Sequence, residues 1–252
     1  MIIALSGRAG SGKDTVGEII QYLTGVDANG KFTKGLNWSY TSDFEIKKFA
    51  GMLKYFASRL TGIPVEYFED QDFKKREMSE EWWYWSNTDK TTTKIPYTNE
   101  TKILANSNSD IVLYKTTYRE FLQVLGTEAM RDGLHTNVWV NGLFADYKGK
   151  DLYRKTNPLN PWKFPDWIIT DMRFPNEIAA VELREGITIR VNRSFNHKMG
   201  SKETGTIDLT PLHPSETALD DAKFDYTIEN DGTLDELVEK VRAILIREKI
   251  IS

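Results

Sequence analysis

Cysteine is missing from this chain altogether, so disulfides and thiolate metal sites are excluded and a reducing compartment suits it. Histidine is nearly as scarce: there are three, without ligand spacing, and a histidine-built metal centre is not expected. No apolar run reaches the length that spans a bilayer, and no secretory pattern marks the start. We therefore expect a cytoplasmic protein with no membrane partner. An excess of positive charge is lacking too; the net charge of -4 argues against a general nucleic-acid binder. What remains is a chain of 252 residues, the size of one α/β domain with insertions. Its natural partner is a small anion held by a few placed cations.

One segment supplies the means. Gly7-Arg8-Ala9-Gly10-Ser11-Gly12-Lys13-Asp14-Thr15 follows the apolar run Ile2-Ile3-Ala4-Leu5. Glycines let successive backbone N–H groups converge on phosphate oxygens, and Lys13 adds a point charge for the β and γ phosphates. Val16, Ile19, Ile20 and Leu23 recur at helical spacing, so the loop opens a helix whose N-terminal dipole faces the same anion. Gly10, Ser11, Gly12, Lys13, Asp14 and Thr15 are the expected ATP-binding residues. Asp14 stands where a Ser or Thr usually meets Mg²⁺, and Thr15 comes one place later; either offers the oxygen ligand that this hard ion favours.

Further along, residues 25–37 are rich in Gly, Asn and Lys and read as an exposed linker. Ile46, Phe49, Ala50, Leu53, Phe56, Ala57 and Leu60 follow helical spacing, although 46–50 also reads as a short buried strand feeding a helix from Met52. Gly62-Ile63-Pro64 stops that element. The polar, aromatic stretch that follows, with Trp82, Trp83, Tyr84 and Trp85 at its centre, is too long to be structureless and reads as an inserted flap or subdomain over 62–116. Thr117 with Glu120 and Thr233 with Glu236 have capping-box spacing ahead of amphipathic helices. Trp167-Ile168-Ile169 and 187–191 read as buried strands, with a helix between them that opens at Pro175 and stops at Gly186. Residues 192–213, carrying Arg193, His197, Lys198 and Lys202, read as a lid. Strands alternating with helices predict an α/β fold, a doubly wound parallel sheet with helices on both faces.

Several side chains are candidates for chemistry. Asp171 closes an apolar strand, where an acid in P-loop proteins orders Mg²⁺ or its waters; the plain alternative is a helix N-cap. Arg173 and Glu177 follow within one turn, as site residues or as a surface ion pair. Arg119, Gln123, Thr127 and Arg131 are spaced by four, which makes either a phosphate and base site or the wet side of a helix. Trp139 is a base-stacking candidate or a core residue, and the Trp82–Trp85 cluster is packing or a homodimer contact. His213 in His213-Pro214-Ser215-Glu216 is a hinge or phosphate contact.

Taken together, these stretches resemble the phage deoxynucleoside monophosphate kinases. The resemblance rests on Gly-x-x-x-Ser-Gly-Lys-Asp-Thr, Phe49-Ala50-Gly51-Met52-Leu53-Lys54, Leu122-Gln123-Val124-Leu125-Gly126-Thr127 with Arg119 and Arg131, Asp171-Met172-Arg173-Phe174-Pro175-Asn176-Glu177, His213-Pro214-Ser215-Glu216 and Asn230-Asp231-Gly232. It implies a P-loop kinase that moves the γ-phosphoryl of ATP, with Mg²⁺, onto a deoxynucleoside monophosphate. It further implies a monophosphate site lined by Arg119, Gln123, Thr127, Trp139, Arg173 and Glu177, with Lys54 near the acceptor. The segment around Arg193, and Asp231, would serve ATP. Asp14 after the lysine is then a family trait, and 46–50 is a strand before a helix.

Phosphate oxygens are already nucleophilic, so no general base is expected; Lys13, Arg131, Arg173 and Asp171, with a metal near Asp14, Thr15 and Asp171, would neutralise charge as the phosphoryl group moves. Two rivals share the loop: a kinase for another phosphorylated metabolite, and a nucleotide-dependent switch that transfers nothing.

Overall fold

The computed structural model describes residues 1–25, 32–36, 42–87, 94–105, 111–148, 164–194 and 217–252. The chain divides into two units, one of residues 1–50 with 140–252 and one of residues 51–139. The second is wider than the insertion expected over 62–116.

The first unit is built on five strands: β1 (Ile2–Ser6), β2 (Phe44–Lys47), β6 (Asp166–Met172), β7 (Ile187–Asn192) and β8 (Tyr226–Glu229), in the spatial order β2-β6-β1-β7-β8. Every pairing in this sheet is parallel, as expected of strands joined by helical crossovers. Successive side chains of a strand point to opposite faces, and β1 shows it. Ile3 and Leu5 join one core with Ile168, Ile189, Val191 and Ile228, which α1 (Lys13–Thr24) and α8 (Leu234–Arg247) cover. Ile2 and Ala4 join the other core with Trp167, Ile169 and Met172, covered by α6 (Val138–Phe144) and α7 (Pro175–Glu182). Helices thus lie on both faces, as the alternation of elements predicts.

Local signals and packing agree here. In α1, Val16, Ile19 and Ile20 are fully buried and Leu23 is nearly so; each such side chain contributes roughly 1.5–3 kcal/mol on leaving water, more than any cap. Helix α8 has the reciprocal Thr233–Glu236 capping box, and α7 begins at Pro175. One expectation fails: within the stretch read as an exposed linker, Phe32 is buried against Tyr22, ring centroids 5.6 Å apart. An apolar ring finds the core even when its neighbours are polar.

The second unit holds α2 (Gly51–Thr61), α3 (Gln71–Lys74), α4 (Asn99–Ala105) and α5 (Tyr118–Gln123), with an antiparallel sheet of β3 (Tyr84–Asn87), β4 (Ile95–Pro96) and β5 (Ile111–Tyr114) ordered β4-β3-β5. Residues 46–50 are therefore a strand and a turn ahead of a helix. Aromatic rings replace aliphatic periodicity as the glue. Phe73 stacks on Tyr118 at 4.4 Å, the fully buried Phe68 meets both edge-on, and Trp82 packs on Phe121 at 4.9 Å. The Trp83 indole donates to the Met78 carbonyl at 2.8 Å, so Trp82 and Trp83 each have partners within this unit.

Beyond Gln123 the backbone changes type, to a π-helix over Val124–Asp132. Its bonds reach five residues back, as from Gly133 N to Glu128 O at 3.0 Å. Nothing in the apolar spacing announced it.

Candidate active site

The loop between β1 and α1 is shaped by three glycines, Gly7, Gly10 and Gly12, with φ angles that L side chains avoid. Gly12, the N-cap of α1, has φ 100° and Gly7 has φ 151°. A Cβ on Gly12 would strike the Asn230 amide, and one on Gly7 would strike the Val191 carbonyl. Any other residue at these two places would have to displace the Asn230 side chain or the β7 backbone, so the tight path of the loop depends on both glycines.

Lys13, only 9% exposed, donates from Nζ to the carbonyls of Gly7 at 2.7 Å and Arg8 at 2.8 Å. Its ammonium is thereby fixed over the loop rather than free in solvent. Ser11 Oγ is buried without a hydrogen-bond partner among the described residues. A buried hydroxyl of this kind calls for an acceptor or donor, and a phosphate oxygen supplies one. The residues present thus fit a polyphosphate.

The oxygen ligands expected for a metal are unequal. Thr15 is buried at the start of α1, whereas the Asp14 side chain is 70% exposed. Asp14 accepts from Thr170 Oγ1 at 3.0 Å and pairs with Lys48 at 3.3 Å. For Asp171 the plain alternative read from the sequence, a helix N-cap, fails. It is not the cap of α7, whose N-cap is Phe174. Its two carboxylate oxygens instead accept from the backbone amides of Phe49 at 2.7 Å and Ala50 at 2.9 Å, pinning the turn after β2. Among the described residues no three His, Cys, Asp or Glu side chains cluster to hold a metal. The donor set suits Mg²⁺, which keeps several waters and shares its shell with substrate phosphates.

Glu177 is buried, and one of its oxygens accepts from the amides of Arg173 at 2.6 Å and Phe174 at 3.1 Å. The carboxylate thus satisfies donors at the start of its own helix. Arg173 is half-buried next to it. Arg193 is exposed, and the Asp231 carboxylate accepts from Ser194 N at 2.6 Å and Ser194 Oγ at 2.9 Å. The hydrogen bond from the Ser194 amide is the main cause that holds the Asp231 carboxyl below the usual carboxylate range.

Within the second unit, Lys54 donates to Glu69 at 2.6 Å and Arg119 to Gln71 at 2.9 Å. Arg119 and Gln123 are exposed, while Thr127 and Arg131 are half-buried. The spacing by four that read as one stripe crosses from an α-helix into the π segment, so the two pairs do not share one helical geometry. Trp139 is 7% exposed and its indole donates to the Gly126 carbonyl at 2.9 Å. Gly126 itself is packed against Leu53. His213 and most of the expected lid, including His197, Lys198 and Lys202, lie outside the described residues.

Four contributors escaped the sequence reading. Asn230 donates from Nδ2 to the Ser11 carbonyl at 2.8 Å, and Arg8, Arg190 and Asp220 form one ion-pair cluster beside the loop. For Asn230 the signal was there, in the motif Asn230-Asp231-Gly232, of which only Asp231 was read as a site residue.

Two comparisons with known proteins bear on the family of this chain. The family model of deoxynucleotide monophosphate kinase matches residues 1–241. A deoxynucleotide monophosphate kinase of Escherichia phage RB69 is 30% identical over 131 residues, 50% of this chain and 44% of that relative. The match thus spans less than half of the relative's length. With a match over nearly the whole sequence and a phosphate loop built as described, the chain belongs to the deoxynucleotide monophosphate kinase family.

Proposed function

We propose that this protein transfers the γ-phosphoryl group of ATP to a deoxynucleoside 5′-monophosphate, giving the diphosphate and ADP for DNA synthesis. The observation that carries the reading is the loop itself, with Lys13 fixed over it by two loop carbonyls and the Ser11 hydroxyl buried without a partner among the described residues. Family membership supplies the acceptor class.

The chemistry asks little of a base. Phosphoryl transfer depends on positioning and on neutralising charge over the equatorial oxygens. Lys13 and the loop amides would bind the β and γ phosphates, with the Ser11 hydroxyl as a further partner. Asp14 and Thr15 would hold Mg²⁺ on the phosphates, where the ion supplies charge neutralisation. Asp171, with both oxygens on backbone amides, would reach the ion through water. Arg173 and Arg131 would stabilise charge on the transferring group, and Lys54, Arg119, Gln123, Thr127 and Glu177 would serve the acceptor. The place of action is the cytoplasm, where both substrates are found. No helix among the described residues is long and apolar enough to cross a membrane.

The test is ADP production from ATP measured with each common deoxy- and ribonucleoside monophosphate in turn. Stimulation by one or more deoxynucleoside monophosphates supports the proposal. ATP binding without acceptor-stimulated turnover identifies a switch, and stimulation only by some other phosphorylated metabolite identifies a different kinase.

A further inference from the structure

Beside the phosphate loop lies a cavity of about 390 Å³ lined by Arg8, Ser11, Arg190, Asn192, Asp220 and Glu229 among others. Asp220 divides its carboxylate between two arginines there: Oδ2 accepts from Arg8 Nη2 at 2.9 Å and Oδ1 from Arg190 Nη2 at 2.8 Å.

The three partners are not equivalent. Arg190 is the anchored one, with its side chain 13% exposed. Its Nη1 donates to Ser6 Oγ, at the end of β1, at 3.1 Å, and its guanidinium lies 5.7 Å from the Phe224 ring centroid. Arg8 is the loose one. Its side chain is 52% exposed, and its one described side-chain hydrogen bond is to Asp220. A long side chain with that freedom loses entropy when a ligand orders it. Asp220 removes much of the freedom beforehand, and does so through one of the five donors that a guanidinium carries. The rest remain for an anion, and two guanidiniums around one carboxylate leave a net positive charge at the mouth of the loop.

From this the geometry points to Asp220 as a positioning residue that aims the Arg8 guanidinium at the phosphates of the donor nucleotide. The inference rests on the nucleotide-binding reading of the loop given above, and adds to it a residue 212 positions away in sequence from the one it directs. Arg8 then touches the donor phosphates; Asp220 acts only through Arg8. Arg190 keeps its place through Ser6 Oγ and the Phe224 ring, so the effect of Asp220 on binding vanishes when Arg8 is gone. A carboxylate that merely braced the fold would keep its effect.

Isothermal titration calorimetry with Mg·ATP on the wild type, Arg8→Ala, Asp220→Asn and the double variant tests this. Each single substitution is expected to raise Kd about tenfold, the scale of one charge-assisted hydrogen bond. The double variant is expected to bind no more weakly than Arg8→Ala alone. Unchanged or tighter binding by Asp220→Asn overturns the inference, since the carboxylate would then be idle or a competitor of the phosphates. A full additional loss on top of Arg8→Ala overturns it as well, in favour of a brace. Should Asp220→Asn fail to fold, Arg8→Ala decides alone, because its exposed side chain is not part of the core and wild-type binding by it sinks the inference. Failure of the wild type to take up Mg·ATP overturns the kinase reading itself, and this inference with it.

Discussion

The side-chain amide of Asn230 donates to the backbone carbonyl of Ser11 across 2.8 Å, joining the turn after β8 to the middle of the phosphate loop. The same residue's backbone N–H donates to Asn192 O at 2.8 Å, so Asn230 is itself held by β7. Loss of its side chain leaves the loop without that tie. Asn230→Ala is expected to weaken Mg·ATP binding by about tenfold, the scale of one buried hydrogen bond and the order it imposes. Calorimetry reads the affinity, and a melt by circular dichroism shows whether the fold survives.

Lys13 carries a side-chain ammonium fixed to two loop carbonyls. Lys13→Ala is expected to lower kcat by at least about 10²–10³-fold, the scale for removing one preorganised charge-stabilising donor. The far-UV spectrum should stay as it is, because the hydrophobic face of α1 is untouched. Retained wild-type turnover would remove the lysine from the mechanism.

Trp139 separates two roles that a sequence cannot. Trp139→Phe keeps an aromatic ring but deletes the donor to Gly126, leaving a carbonyl of the π segment without its indole. That is expected to cost about 0.5–1.5 kcal/mol of stability, the net worth of one hydrogen bond. Urea unfolding measures it. An unchanged stability with a raised KM for the monophosphate would instead make Trp139 a base-stacking residue.

Asp231 gives a pH dependence with a definite sign. Its folded pKa is depressed, chiefly by the amide of Ser194, so the stabilisation is present above the ordinary carboxylate value of about 3.9. It is lost as the pH falls through the lower folded value. Asp231→Asn should therefore unfold at lower urea than the wild type near neutrality, with the gap closing in acid. A gap that widened on acidification would contradict the assignment.

What the sequence disclosed and what it concealed divide along the length scale of the cause. The P-loop was legible because its glycines, lysine and flanking apolar residues are neighbours in the chain, and φ above zero at Gly12 is a local demand. The strands β1, β6 and β7 were legible because a strand buried on both faces is a continuous apolar run. The capping boxes at Thr117 and Thr233 were legible for the same local reason. The π-helix was not, since a change from four- to five-residue bonding leaves the apolar residues where they were. Nor was the role of Asp171, whose two partners on the β2–α2 turn precede it by 122 and 121 positions. Arg190 lies inside a strand read for its apolar residues, and only the fold brings Arg8 to it through Asp220.

The position of β1 in the middle of the sheet bears on how the protein is made. Its two neighbours, β6 and β7, come from residues 166–172 and 187–192, so on a ribosome the first strand emerges with both hydrogen-bonding edges unsatisfied. Contacts this distant in sequence slow folding and leave apolar segments exposed meanwhile. The nascent Ile2–Ser6 segment thus waits for residues 187–192 before both its edges are paired, and the loop after it is braced no earlier.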